Sequence, residues 1–257
     1  MSQCQSVSLA FSNTNLVTIN DGANPPTVAT PYPSAISVTG LTGQVVTKAT
    51  VTIQGFSHAF PADVGALLLG PQGQRTILFA AVGGQNKYSV TNLTLIVDDD
   101  ATNSFPVTNK TPALVSGVYK PTNGYLAFGN AGLPYDFPSL PGTSNAVSAM
   151  SVFKNTDPTG TWSLFVVDNV EGDSGSISGG WSLNLSVAVP LLIGKITTNV
   201  VVSWPASASN ATLQSGPSLT NPSAWTNVGS VPAASSGRFA VTNSILSGSL
   251  FYRLVSP

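Results

Sequence analysis

The chain has 257 residues, room for one large β domain or two smaller ones. Asp, Glu, Lys and Arg make up 7% of it, against about 25% in an average soluble protein, while 42% is hydrophobic and the formal net charge is −1. That is not the balance of a disordered chain, which joins low hydrophobicity to high charge; nor is there a basic patch for nucleic acid, because the nine Lys and Arg are scattered singly.

Met1 to Gln5 is followed by no apolar run of signal-peptide type, so a leader is expected to have been trimmed or never to have existed. Cys4 is the only cysteine, which rules out an internal disulfide and a cysteine-built zinc site; it reads either as a lipidated terminus or as an idle thiol. Period-two alternation rich in β-branched residues predicts strands over 34–38, 45–53, 66–69, 76–80, 93–97, 162–167 and 181–187. Turn signals separate them, among them Gly70-Pro71-Gln72-Gly73, Gly83-Gly84, Asn123-Gly124, Pro141-Gly142 and Gly172-Asp173-Ser174-Gly175. The Pro- and Asn-rich segment 100–149 alternates poorly and reads as long loops. No run approaches the roughly 18 apolar residues of a membrane span, and the best candidate, 187–193, is far too short.

Pro190 interrupts the chain where the alternation of the first unit ends, so two units are expected, 1–188 and 189–257. In the second unit, strands are predicted over 200–204, 211–214, 225–228, 238–241 and 251–255. Many short strands with turn punctuation predict an all-β sandwich or barrel.

Two stretches carry a family resemblance. One is Ser57-His58-Ala59-Phe60-Pro61-Ala62-Asp63-Val64 with Ala66-Leu67-Leu68-Leu69-Gly70-Pro71-Gln72-Gly73. The other is Asp157-Pro158-Thr159-Gly160-Thr161-Trp162-Ser163-Leu164-Phe165-Val166-Val167-Asp168 with Gly172-Asp173-Ser174-Gly175-Ser176-Ile177 and Gly180-Trp181-Ser182-Leu183. Together they resemble, over roughly residues 15–188, the P domain (Homo B domain) found behind subtilisin-like proprotein convertases and many secreted bacterial proteases. The resemblance implies a jelly-roll sandwich, often calcium-binding, that stabilises a neighbouring protease or helps to position its substrate. The second unit, with Ser203-Trp204-Pro205, Trp225-Thr226 and Phe251-Tyr252-Arg253-Leu254, resembles small modules that end many secreted proteins of environmental bacteria, which implies a fibronectin-like β unit used for attachment or sorting. The second stretch itself reads as a hairpin: Trp162 and Trp181 open its strands as core residues, and Gly172, Asp173 and Gly175 form the turn.

Catalytic parts are scarce, with one His and one Glu in the whole chain. His58, Asp98 and Ser174 fall in the order of a trypsin-like triad, but the sequence around His58 and the lack of disulfides do not match, and Ser174 is already explained as a turn residue. The carboxylates offer more. Asp98, Asp99 and Asp100 are consecutive, and Asp63, Asp168 and Asp173 punctuate loops; calcium takes six to eight oxygen ligands of this kind, and Asp99 with Asp168 is the leading pair. The other reading of the same residues is a solvated turn with backbone-capping aspartates. Tyr119, Tyr125 and Tyr135, with Phe128 and Phe137, form either a glycan-binding platform or packing anchors for the long loops.

The expectation is a non-catalytic, calcium-stabilised extracellular or cell-surface module, structural or adhesive, with a self-assembling filament or layer subunit as its sharpest form. Low charge leaves little repulsion between copies. A carbohydrate-binding or protease-accessory module is the alternative.

Overall fold

The computed structural model describes residues 7–84, 88–107, 113–124, 137–141, 147–244 and 249–255. Within them every regular element is a strand or a short 3-10 turn. The first sheet runs β1 (Val7–Asn13), β14 (Trp181–Ala188), β5 (Val45–His58), β8 (Val90–Val97), β10 (Gly117–Lys120) and β9 (Asn103–Ser104), with β13 (Gly175–Ile177) between β5 and β2 (Val17–Ile19). The second runs β11 (Thr122–Asn123), β7 (Arg75–Ala80), β6 (Val64–Leu69), β12 (Gly160–Asp168) and β3 (Thr27–Val28), with β4 (Ser34–Val38) also on β12. The chain is all-β, and these two sheets form a sandwich.

Alternation explains the layering. Along β14 the odd residues Trp181, Leu183, Leu185 and Val187 are buried, and they meet Val51 and Ile53 of β5 and Leu164 and Val166 of β12 in one apolar cluster. β6 breaks the alternation, because a second cluster with Phe165, Ile77 and Phe137 covers the outer face of its sheet and buries Leu67 as well as Leu68. Trp162 and Trp181 are both fully buried, each worth about 3 kcal/mol of apolar transfer. Their indole N–H groups donate to the Pro158 carbonyl (2.9 Å) and to Ser34 Oγ (3.0 Å).

The hairpin expected between the tryptophans does not form. β12 lies in the second sheet and β14 in the first, so the turn at 172–175 is an arch between layers that passes through β13. Both strands carry apolar residues on one face, and that pattern is met equally by pairing within a sheet or by facing across the core. Gly180 lets the chain re-enter the first sheet: its φ is +68, and a Cβ there would collide with the Asn13 carbonyl oxygen. Segment 100–149 also departs from a pure loop, since β9, β10 and β11 add short parallel pairings to both sheets.

The last two sheets use residues 192–255. One runs β15 (Leu192–Ile196), β16 (Asn199–Pro205), β20 (Arg238–Ser244) and β19 (Ala233–Ser235); the other runs β18 (Thr226–Asn227), β17 (Thr212–Gly216) and β21 (Phe251–Val255). Val202, Trp204, Leu213, Val241, Tyr252 and Leu254 form a separate small core, with Val189 and Leu191 of the connecting segment against it.

Candidate functional site

The six predicted carboxylates are divided between the two ends of the first sandwich, and β5 is the ruler. Lys48 near its start marks one end and His58 at its close marks the other. At about 3.3 Å per residue they stand roughly 30 Å apart.

At the Lys48 end, β8 delivers the Asp run to a tight turn. Lys48 Nζ reaches Asp98 Oδ2 at 2.9 Å and Asp100 Oδ2 at 2.6 Å. The Asp100 N–H donates to Asp98 Oδ1 at 2.9 Å. Asp99 points the other way: its two oxygens accept from the Met150 and Ser151 N–H groups at 2.7 and 2.8 Å, at the first turn of the 3-10 segment Met150–Phe153. This carboxylate therefore does the work of an N-cap from 51 residues away. The hydrogen bonds and charge of Lys48 hold the Asp100 carboxyl below its usual range, and the two carboxylates hold the Lys48 ammonium above its own. A cavity of about 250 Å³ lies over this turn, lined also by Thr47, Met150 and Lys154.

At the other end, His58 and Asp168 face each other across the two sheets, with Nε2 and Oδ2 3.0 Å apart and both side chains almost wholly buried. The tautomer follows from the neighbours. The Phe60 N–H donates to Nδ1 at 3.1 Å, so Nδ1 carries a lone pair and Nε2–H donates to Asp168. Asp168 Oδ1 accepts from the Val170 N–H at 3.1 Å, and buried Asp63 accepts the Asn169 N–H on its carbonyl. Gly175 sits so close that a Cβ there would strike the imidazole. The pair bolts β5 to β12 through the dry interior.

The predicted groupings rearrange accordingly. Asp98, Asp99 and Asp100 stay together, Asp63 and Asp168 stay together, and the leading calcium pair, Asp99 with Asp168, is separated by the length of β5. Asp173 lies partly buried in the arch. Four of these donors already have partners: Asp98 and Asp100 turn to an ammonium, Asp99 to two amides and Asp168 to an imidazole and an amide, and among the described residues no group of three or more His, Cys, Asp or Glu is placed to hold a metal. The triad order fares similarly. His58 meets Asp168 and not Asp98, and both ring nitrogens are engaged, which leaves none for exposed Ser174. Tyr119 is drawn into the core, stacked on Phe105 at 4.4 Å with its hydroxyl donating to the Val115 carbonyl, because β10 turns it inward beside β8. Phe137 is buried in the second apolar cluster, while Tyr125, Phe128 and Tyr135 lie outside the described residues. Lys48 was not anticipated; a lone Lys inside an alternating strand, in a chain with so few charges, was its available signal.

No protein-family model matches the chain, and no curated protein matches it. Among solved structures, the serine protease of Aeromonas sobria is similar at 15% identity with a TM-score of 0.33, over 73% of this chain and 28% of that one. The same protease in complex with its chaperone gives 15% identity and 0.33 over 72% and 27%. This chain thus spans under a third of the length of those it matches. No helix among the described residues is long and apolar enough to cross a membrane.

Proposed function

We propose that this chain is a non-catalytic structural or adhesive module of an extracellular surface that associates with copies of itself. The observation that carries the reading is where its few ionic groups go. Lys48 pairs with Asp98 and Asp100, His58 with Asp168, Asp99 caps Met150–Phe153, and Asp157 and Asp21 accept backbone N–H groups. Tied within the chain, these groups offer few free charges, and with 7% charged residues and a formal net charge of −1 little electrostatic repulsion keeps copies apart. Such ties do in this chain what disulfides do in other secreted β modules. The P-domain resemblance belongs to the same reading, as a sandwich that serves by binding and not by chemistry.

The test is self-association of the purified chain, followed by sedimentation velocity and negative-stain electron microscopy over rising concentration and at two salt concentrations. Association that persists in high salt supports the reading, since screening would weaken an ionic contact. A strictly monomeric chain at the highest soluble concentration refutes it.

A further inference from the structure

The sheet edges differ in what they expose. β1 leans over β4, with the Asn13 amide donating to the Ala35 carbonyl at 2.9 Å. β19 is a three-residue Ala-Ala-Ser edge, β9 has two residues, and β21 carries Arg253 stacked over Trp225 at 4.5 Å. β15 is unlike them. All five of its residues are exposed, and three are large and apolar: Leu192 at 56%, Ile193 at 52% and Ile196 at 58%. Ile193 lies beside Val202, which is fully buried on the same face, so the small core ends abruptly at this edge. Among the described residues no strand pairs with its outer side, and a hydrophobic edge of this kind is a template for another strand.

We infer that β15 is the self-association edge of the chain, pairing antiparallel with β15 of a second copy about a twofold axis at Gly194. This rests on the self-association reading above and names its surface. The register comes from the hairpin. β15 and β16 are joined by the two residues Thr197 and Thr198, with Ile196 opposite Asn199. The closing pair of a two-residue hairpin exchanges both of its hydrogen bonds, and such pairs alternate along the ladder. Ile196, Gly194 and Leu192 therefore direct their N–H and C=O groups to β16, while Ile193 and Lys195 direct theirs to the open edge.

A second β15 can meet those groups in three symmetric ways. Ile193 against itself uses one hydrogen-bonded pair, and Lys195 against itself sets two ammonium groups side by side, which is unfavourable. Ile193 against Lys195 of the second copy uses both pairs and opposes no like charges. It also brings Leu192 of each copy next to Ile196 of the other on the outer face, and places Gly194 opposite Gly194. The occupant is thus a copy of the same strand: the edge is complementary to itself in one register, and with a net charge of −1 the two chains repel only weakly. Joining two four-stranded sheets in this way makes an isologous dimer.

Two experiments on the full chain separate this surface from any other. Gly194 opposes itself in a non-hydrogen-bonded pair, where Cα atoms stand about 4.5 Å apart, within disulfide range. A Cβ at Gly194 meets nothing within 4 Å. In a Cys4→Ser background, Gly194→Cys is expected to form a covalent dimer under mild oxidation, and Lys195→Cys far less. Second, Ile193→Glu places a carboxylate against Lys195 of the second copy and Ile193→Lys places an ammonium there. The Glu variant is expected to dimerise on the order of tenfold more tightly than the Lys variant. Both lose the same exposed side chain, so equal affinities would point to a merely greasy contact and overturn the register. A wild-type chain that associates while Gly194→Cys fails to cross-link overturns the β15 assignment and leaves the self-association reading standing; a wild-type chain that never associates overturns both.

Discussion

Removing the imidazole of His58 is the sharpest test of how the sandwich is held together. In His58→Ala, Asp168 Oδ2 loses the donor that meets it at 3.0 Å in a site almost closed to water, and the Phe60 N–H loses its acceptor at 3.1 Å. Breaking a buried pair by removing one partner costs about 3–5 kcal/mol, and an orphaned N–H adds about 1–3 kcal/mol where water cannot reach it. Phe60 is only partly enclosed, so about 4 kcal/mol is expected in total. For a cooperative unit of this size that is a fall in Tm of roughly 8–16 °C. Asp168→Asn should cost about 1–3 kcal/mol: Nδ1 must keep accepting from Phe60, so Nε2 remains a donor, and the amide sets its NH₂ either against Nε2–H or against the Val170 N–H. His58→Leu with Asp168→Leu removes both polar groups together and should recover most of the loss. Thermal and urea unfolding followed by circular dichroism measure all three variants. A His58→Ala shift under 2 °C, or single-variant losses that simply add in the double variant, would refute the bolt between the sheets.

Melting with excess calcium and with EDTA should give the same Tm within about 2 °C, a difference of under ~1 kcal/mol, because Asp98, Asp99, Asp100 and Asp168 already have partners in Lys48, His58 and backbone amides; a large drop on chelation would support the calcium reading. Asp99→Ala should cost about 1–2 kcal/mol by uncapping Met150–Phe153, read as a lower urea midpoint at unchanged slope. Lys48→Ala should destabilise at neutral pH in a pH-dependent way. The Asp100 carboxyl is held below its usual 3.8, so its share is present above that value and lost as pH falls through the lowered one. The Lys48 ammonium is held above 10.5, so its share is present below that value and lost as pH rises through the raised one. The gap between wild type and variant should therefore be flat from about pH 5 to 9 and close at both extremes; a gap unchanged at pH 2 would show that Lys48 acts through its aliphatic stem alone.

Much of the fold was legible in the residues. The predicted strands 34–38 and 251–255 coincide with β4 and β21, and most of the others are cores of longer observed strands, because alternation and β-branching report which positions face a dry interior whatever lies across it. The two tryptophans were readable as core for the same reason. Edge elements such as β1 and β15 were missed, since a strand paired on one side and wet on both faces needs no alternation. Local residues determined that this chain folds as β layers with few charges. Only the tertiary structure decided partners: that Trp162 and Trp181 lie in different sheets, that Asp99 caps a turn 51 residues on, and that His58 meets Asp168 rather than Asp98. The reason is physical. Burial propensity belongs to each side chain and is written along the chain, whereas a hydrogen bond or ion pair depends on distance in space, and in a sandwich with most contacts long-range that distance is set by the packing of the sheets as a whole.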